Sequence, residues 1–562
     1  MSADIIDEKL EESNLPKRLE DKVRQAIDDE DEEVTEEQVE SIIKLVQERH
    51  EETRIDPLEP VGTVSAQSIG EPGTQMSIPY DERVVVRREG KTEVREIGEV
   101  VDRTVEDKGT EPREVEVGDG VSEVSVPREK IEVLSLGGDE KVEWKRVEEV
   151  SRHEAPDEVL KIGLKSGREI RATKSHSFVT RDDNEVVPVR GDELGTGDHL
   201  PVVGEFDVDE STESVDLRNV LPMEDYWSTS ALTDGGATVS EEQARNRLEA
   251  LEDGEITQDT VYPVGGEVGL PQEFPLDTTT GFFFGAWLAE GNATDYYVSV
   301  SNTDGEFQNR IREFARRFSL STNEYENTSG FARGYDIRVN GKILADLMRE
   351  TCVDEGEKVV PEFAFGASDE FVSALLRGYF SGDGNVSKSA VRASSTSEEL
   401  LHGIALLLAR FGVYSTLSDS TTNSDTLRIP RKFVPRFADE VGMVGERAEE
   451  LGKLADRVEN YDGAPDSTDQ IPNFGDAVDE VASELGLPSR NFNSATKRQR
   501  VGRARLERLV ERAREGDVDS STLGELERAV EGDVVWDKIE EIETVETEHE
   551  YVYDFSVAGL ET

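Results

Sequence analysis

Two segments, GFFFGAWLAEGN from Gly281 and ALLRGYFSGDGNV from Ala374, constrain the fold more than anything else in the chain. Each is an apolar run ending in a small residue, an acid and a glycine, and Asp383 follows Glu290 by 93 positions. Gly285 and Ala289 stand four apart, as do Ala374, Gly378 and Gly382. Residues at that interval share one helix face, and side chains this small let two helix backbones come close. The pair predicts two helices packed face to face, with Glu290 and Asp383 meeting at their ends. One such segment would read as a capped core helix; the duplication argues for a shared site. Two carboxylates held together repel unless a divalent cation neutralises them, and Mg2+ suits a sparse carboxylate set because water and phosphate complete its octahedron.

With 562 residues the chain has room for several domains. Its 125 acids against 63 bases give a net charge of −62, and the acids are scattered through every segment. Only 19 of the bases are lysine. That pattern fits a cytoplasm of molar salt, where a Debye length of roughly 3 Å removes long-range repulsion between such a protein and nucleic acid. An acidic disordered chain is a poorer fit, because apolar residues recur periodically almost throughout. No apolar run approaches the roughly 18 residues that span a bilayer. No secretory signal opens the sequence and Cys352 is the only cysteine, so disulfides play no part; a cytoplasmic location without membrane contact is expected.

From Ser77 the texture changes to short β-like runs such as ERVVVRR, EKIEVLSL, DEVLKIGL, REIRAT and HLPVV, separated by Gly137-Gly138 and Ser166-Gly167. These predict an all-β unit. Within it, GREIRATKSHSFVT places Thr173 and His176 three apart at a strand end; near the chain's end comes EYVYDFSV. SIPYDERVVV at the start, this TxxH motif, and Val552, Tyr553 and Asp554 together resemble an intein, a self-excising insert of the Hint fold. The resemblance implies that Ser77 is the nucleophile and that the Met76–Ser77 peptide bond is where cleavage begins. It further implies that Thr173 orients that peptide, His176 protonates its nitrogen, and Asp554 promotes the acyl shift. Imidazole suits the donor role because it exchanges protons near neutral pH. Splicing of this kind needs no cofactor. His153, in VSRHEAP, reads as a strand-end packing residue. Inteins of this type end in asparagine followed by Ser, Thr or Cys, and Glu561 stands where a histidine is common. The sequence stops before that asparagine, so the expectation is an intein that performs at most the first acyl shift, either because the sequence is truncated or because a separate C-terminal polypeptide supplies the missing strand.

The paired acid-glycine helices resemble LAGLIDADG homing endonucleases, which ride inside inteins. The resemblance implies cleavage of double-stranded DNA at the uninterrupted gene site, Glu290 and Asp383 as Mg2+ ligands, and Lys358 in EKVVPEF beside the scissile phosphate. A decayed enzyme that only binds DNA, in a splicing-defective fragment, is the alternative. Between Arg490 and Arg514 nine bases face only Glu507 and Glu511. Lys497, Arg498, Arg500, Arg503 and Arg505 are therefore candidate phosphate contacts, although Arg503–Glu507 and Arg508–Glu511 ion pairs would explain the same spacing.

Upstream, EPVGTVSAQSIGEPGTQM resembles the start of the A″ subunit of archaeal DNA-directed RNA polymerase, where Gln75 matches a trigger-loop residue. This implies a part in a nucleotidyltransferase, its partners being the A′ subunit together with the other polymerase subunits. The expected architecture is multidomain. A helical fragment of the A″ subunit (1–76) precedes an all-β Hint unit (77–204, closed by 541–562). A linker or accessory segment (205–277), an α/β endonuclease with a pseudo-two-fold repeat (278–450) and a helical accessory region (451–540) lie between its two parts.

Overall fold

The computed structural model describes residues 77–107, 112–117, 120–182, 184–209, 211–230, 258–327, 334–418, 424–459, 468–488, 499–516 and 521–557, together with Lys44 and Val46. The chain divides into two compact units, Met1–Gly73 and Thr74–Thr562. In the first, Lys44 and Val46 are helical; the rest of the segment expected to be helical, with Gln75, Met76 and Glu561, lies outside the described residues. Among the described residues no helix is long and apolar enough to cross a membrane.

The second unit opens on a two-residue strand, β1 (Ile78–Pro79), followed by a hairpin of Arg83–Arg88 with Lys91–Glu96. The strand β2 (Gly120–Ser125) lies against the long strand β3 (Val142–Glu154). A second antiparallel pair, β4 (Glu158–Leu164) and β5 (Glu169–Ala172), turns at Ser166-Gly167, and β6 (His199–Val203) ends this part of the unit. One face of these strands is buried: Val86, Ile131, Val133, Val147 and Val150 form a core with the helix Ile97–Val105.

Of the segment 205–277, expected to be a linker or accessory segment, the described residues 205–209, 211–230 and 258–277 are built structure. Ser214–Asp216 pairs with Glu273–Pro275, and Tyr226–Ser228 pairs with Thr260–Pro263. Leu217, Leu221, Tyr226, Val261, Leu270 and Phe274 from these pieces enter the same core as the acid-glycine helices. Runs of only three or four residues bury enough apolar surface by docking on a larger core, which local alternation alone could not reveal.

The two halves of that core repeat each other. Helix α1 (Thr278–Glu290) is followed by two strands, a helix and two strands; helix α2 (Asp369–Asp383) by the same succession. Each half folds its four strands into an antiparallel sheet in which the first, second, fourth and third strands lie side by side. Asp277 caps α1, accepting from the N–H groups of Thr279 and Thr280, and Ser368 caps α2 through Phe371 N. The helices touch along their glycines. A Cβ on Gly285 would fall 1.8 Å from Leu375 O, one on Gly281 2.3 Å from Phe371 O, and one on Gly378 2.3 Å from Phe282 O. The core continues past 450 through Leu451, Leu454 and Ala455 of the helix Glu446–Glu459, so the predicted boundary cuts that helix.

The accessory region holds helices Gly475–Glu484, Arg503–Glu515 and Ser521–Glu531, and also a short hairpin of Gln470–Pro472 with Arg500–Gly502. The chain then returns to the first β unit as β7 (Val534–Glu546) and β8 (Tyr551–Val557). Strand β7 pairs with β6 and with β4, while β8 lies between β1 and β3. The return thus starts at Val534, inside the stretch assigned to the helical accessory and ahead of the expected 541. Exit and return are adjacent: the N–H groups of Gly204 and Glu205 both donate to Asp533 O, at 2.8 and 3.0 Å.

Candidate active sites

The register of β8 assembles the first site. Ile78 faces Tyr553 on one side of β8, and Ser151 faces Asp554 on the other. Carrying the β1 register back one residue sets Ser77 opposite Asp554. His153 faces Val552, two residues before Asp554, so Ser77, Asp554 and His153 belong to one face of the sheet. Ser77 is fully buried. Its backbone N–H donates to Thr173 Oγ1 at 3.3 Å, and its carbonyl accepts from Thr173 N at 2.8 Å. Its hydroxyl is hydrogen-bonded to His153 Nε2. The threonine of the TxxH motif therefore holds the serine at both backbone polar groups.

His176 joins through the backbone. Its N–H donates to Thr173 O at 3.0 Å, its carbonyl accepts from Gly191 N, and its ring packs edge-on against Phe178 at 4.7 Å between centroids. Tyr553 is structural, buried with its ring on Tyr80 and its hydroxyl donating to Asp102 at 3.3 Å. His153 is the residue that sequence reasoning passed over. Seventy-six positions separate it from Ser77, and only strand pairing brings them together.

Burial pushes the Asp554 carboxyl up to about 7, against the pull of the Phe555 backbone N–H. A carboxyl that keeps its proton to about 7 when folded and releases it near 3.8 when unfolded costs stability as pH rises between those values, and a constant amount above them. Asp554→Asn is therefore expected to raise the melting temperature at pH 8, with the gain shrinking towards zero as pH approaches 4. A gain of the same size at both ends of that range would refute the buried neutral carboxyl.

The second site lies at the ends of α1 and α2. Glu290 is exposed and Asp383 half-buried. Burial, reinforced by the Glu290 charge, pushes Asp383 up to about 7; burial raises Glu290 as well, with Arg447 and Lys358 opposing both shifts. Lys358 donates through Nζ to Trp287 O and Leu288 O, each at 3.0 Å, which closes the C-terminal turn of α1. Desolvation pulls its pKa down while Asp383 and Glu290 hold it up. Arg447 does the equivalent for α2, donating to Ser381 O and Gly382 O. It occupies the matching place in the second half, a signal available from the repeat but not read from it. The donor set fits Mg2+: two hard anionic oxygens whose protonation a cation would oppose. Among the described residues no group of three or more His, Cys, Asp or Glu is placed to hold a metal, so water and phosphate would supply the other ligands.

The basic segment divides. Lys497 and Arg498 lie outside the described residues. Arg500 is in the accessory hairpin, and Arg505 is exposed on the helix Arg503–Glu515 with Arg508 and Arg512 on the same face. Arg503 points inward, a correction to its expected role. It contacts the buried Asp469 at 3.1 Å and donates to the carbonyls of Val530 and Gly532 at 3.0 and 3.1 Å, so its guanidinium is occupied within the fold. A buried carboxylate needs such a partner, and this one outcompetes the Glu507 pair suggested by helical spacing. Other arginines missed in the sequence stand on the two four-stranded sheets. Arg338 lies over the rings of Tyr297 and Tyr325, and Arg392 sits directly across from Arg428.

A family model described as intein splicing domain matches residues 85–562. The chain belongs to the intein family. Over 571 aligned residues the intein-bearing chain is 37% identical to DNA-directed RNA polymerase subunit Rpo1C of Methanocaldococcus jannaschii, covering all of this chain and 62% of that protein. It therefore spans less than two thirds of that relative. Among solved structures, the transcription factor IIB Mvu mini-intein is 32% identical, covering 23% of this chain and 70% of that one, with a TM-score of 0.21. The endonuclease I-DmoI, solved with DNA and Mn, is 13% identical, covering 30% of this chain and 97% of that one, with a TM-score of 0.23.

Proposed function

We propose that the intein catalyses an N-to-O acyl shift at the Met76–Ser77 bond as the opening step of protein splicing, and that its inserted domain cuts double-stranded DNA. Splicing would restore the A″ chain of an archaeal RNA polymerase, which works with the A′ chain and the other subunits in a salt-rich cytoplasm.

The observation that carries the splicing reading is the environment of Ser77: fully buried, held through its backbone by Thr173, and level with Asp554. In the shift, Ser77 Oγ attacks the Met76 carbonyl carbon and the C–O bond forms. The C–N bond to Ser77 then breaks and its electron pair stays on nitrogen, which takes up a proton. Amide becomes ester plus amine, and the hydroxyl proton is replaced on the nitrogen. Thr173 fixes the direction of that nitrogen, His176 is the proton source, and Asp554, its carboxyl raised by burial, lies level with Ser77.

Incubating the full chain in molar salt with hydroxylamine is expected to release a fragment ending at Met76, read by intact mass. Ser77→Ala abolishes it. No fragment from the unaltered chain would overturn the assignment.

For the nuclease, Mg2+ held by Glu290 and Asp383 would supply Lewis acidity at the scissile phosphodiester. Lys358 and Arg447 hold the two helix ends and place positive charge beside the carboxylates. Like charges directly across a strand pair are destabilising. The Arg392–Arg428 pair, with Arg338 on the companion sheet, is therefore the arrangement a polyanion would relieve, which favours these sheets as the DNA surface over the accessory helix.

A further inference from the structure

We propose that His153 is a catalytic residue of the acyl shift, the base that takes the Ser77 hydroxyl proton as Oγ attacks; this rests on the acyl-shift reading above. A serine hydroxyl is a weak nucleophile at neutral pH and needs an adjacent base. The imidazole bonded to Ser77 Oγ is that of His153, whereas the TxxH histidine is linked to the serine through Thr173. His153 stands at the oxygen that loses a proton; His176, joined to Thr173 through its backbone, is left the role of supplying the nitrogen that gains one. His153 gains a proton while His176 gives one up, and exchange with solvent resets both, so the isomerisation is proton-neutral.

The pocket around His153 keeps it in the form a base requires. The ring is buried on the central strand β3, with Ser122 of β2 on one side and Val552 of β8 on the other. Its Nδ1 has no hydrogen-bond partner among the described residues, so no carboxylate draws a proton onto the ring. Burial alone pushes its pKa down to about 4, leaving the imidazole neutral at physiological pH. With the ring proton on Nδ1, Nε2 presents its lone pair to the hydroxyl. Asp554 shares the sheet face, but the imidazole hydrogen-bonded to the Ser77 hydroxyl is that of His153.

The test exploits the nucleophile. A thiol ionises near pH 8.5 without help, so a serine depends on its base far more than a cysteine would. In the full chain in molar salt at pH 8, His153→Gln is expected to slow hydroxylamine release of the Met76-terminated fragment by ~10²-fold or more with Ser77 in place. In the Ser77→Cys background the same change is expected to slow release less than about tenfold. His153→Ala gives the same contrast, and thermal melts of each variant report folding separately. Equal slowing in both backgrounds, or none in either, would overturn the base assignment. Absence of any fragment from the unaltered chain would instead overturn the acyl-shift reading on which it rests.

Discussion

Glu290→Gln and Asp383→Asn are each expected to reduce cutting of supercoiled plasmid carrying the uninterrupted gene site by at least ~10²–10³-fold, with DNA binding retained. Either carboxylate alone leaves a cation with half its protein ligands, and chelation with EDTA should match the substitutions. The two acids come from different halves of the repeat, so the expected loss is the same whichever half is altered. Gel shift and plasmid nicking on the same samples separate the outcomes. Binding without cutting by the unaltered chain in Mg2+ would mean that the domain survives only as a DNA-binding module, and equal cutting by the variants would remove both carboxylates from the chemistry.

Gly285→Val is expected to unfold the nuclease half of the chain. The added Cβ would lie 1.8 Å from Leu375 O, 2.7 Å from the attached carbon and 2.8 Å from Tyr379 N. These are backbone atoms of α2, which no rotamer change can move. Separating the helices would open a core that includes Phe283, Phe284, Leu375 and Tyr379, all fully buried, so a loss of at least ~3 kcal/mol is expected. Ser77 and His153 are held by a different set of strands and core residues, among them Val86, Val150 and Tyr553. The variant should therefore lose DNA cleavage and still release the hydroxylamine fragment. Gly305→Ala, whose Cβ meets nothing within 4 Å, serves as the neutral control. A melt of Gly285→Val indistinguishable from that control would refute the close helix contact.

What the sequence disclosed and what it hid follow from the range of the interactions. The α1–α2 pair was legible because a glycine every fourth residue is a local signal of close approach, and two copies of it imply a partner for each. Thr173 was legible as a motif, but the hydrogen bond between His153 and Ser77 arises from strand register between distant segments. Arg503 was misread for the same reason, since its counter-ion Asp469 is 34 positions away and buried. The first part of the strand Val534–Glu546 fell inside the stretch assigned to the helical accessory, and its apolar residues Trp536, Ile539, Ile542 and Val545 recur every third residue. A bulge between Ile539 and Glu541 shifts the pairing register there, so the simple alternation expected of a strand does not run through it.

The shared acceptor at Asp533, which bridges the point where the chain leaves the splicing unit and the point where it comes back, bears on how such a gene can evolve. Losing everything between would demand no long tether, only a tight turn joining β6 to β7, strands that are already neighbours. The newly bared flank would be Val534 and Trp536, which the accessory helices now cover. A shortened descendant would thus be recognisable by polar replacements at those two positions, whereas Ser77, Thr173 and His153 would have no reason to change.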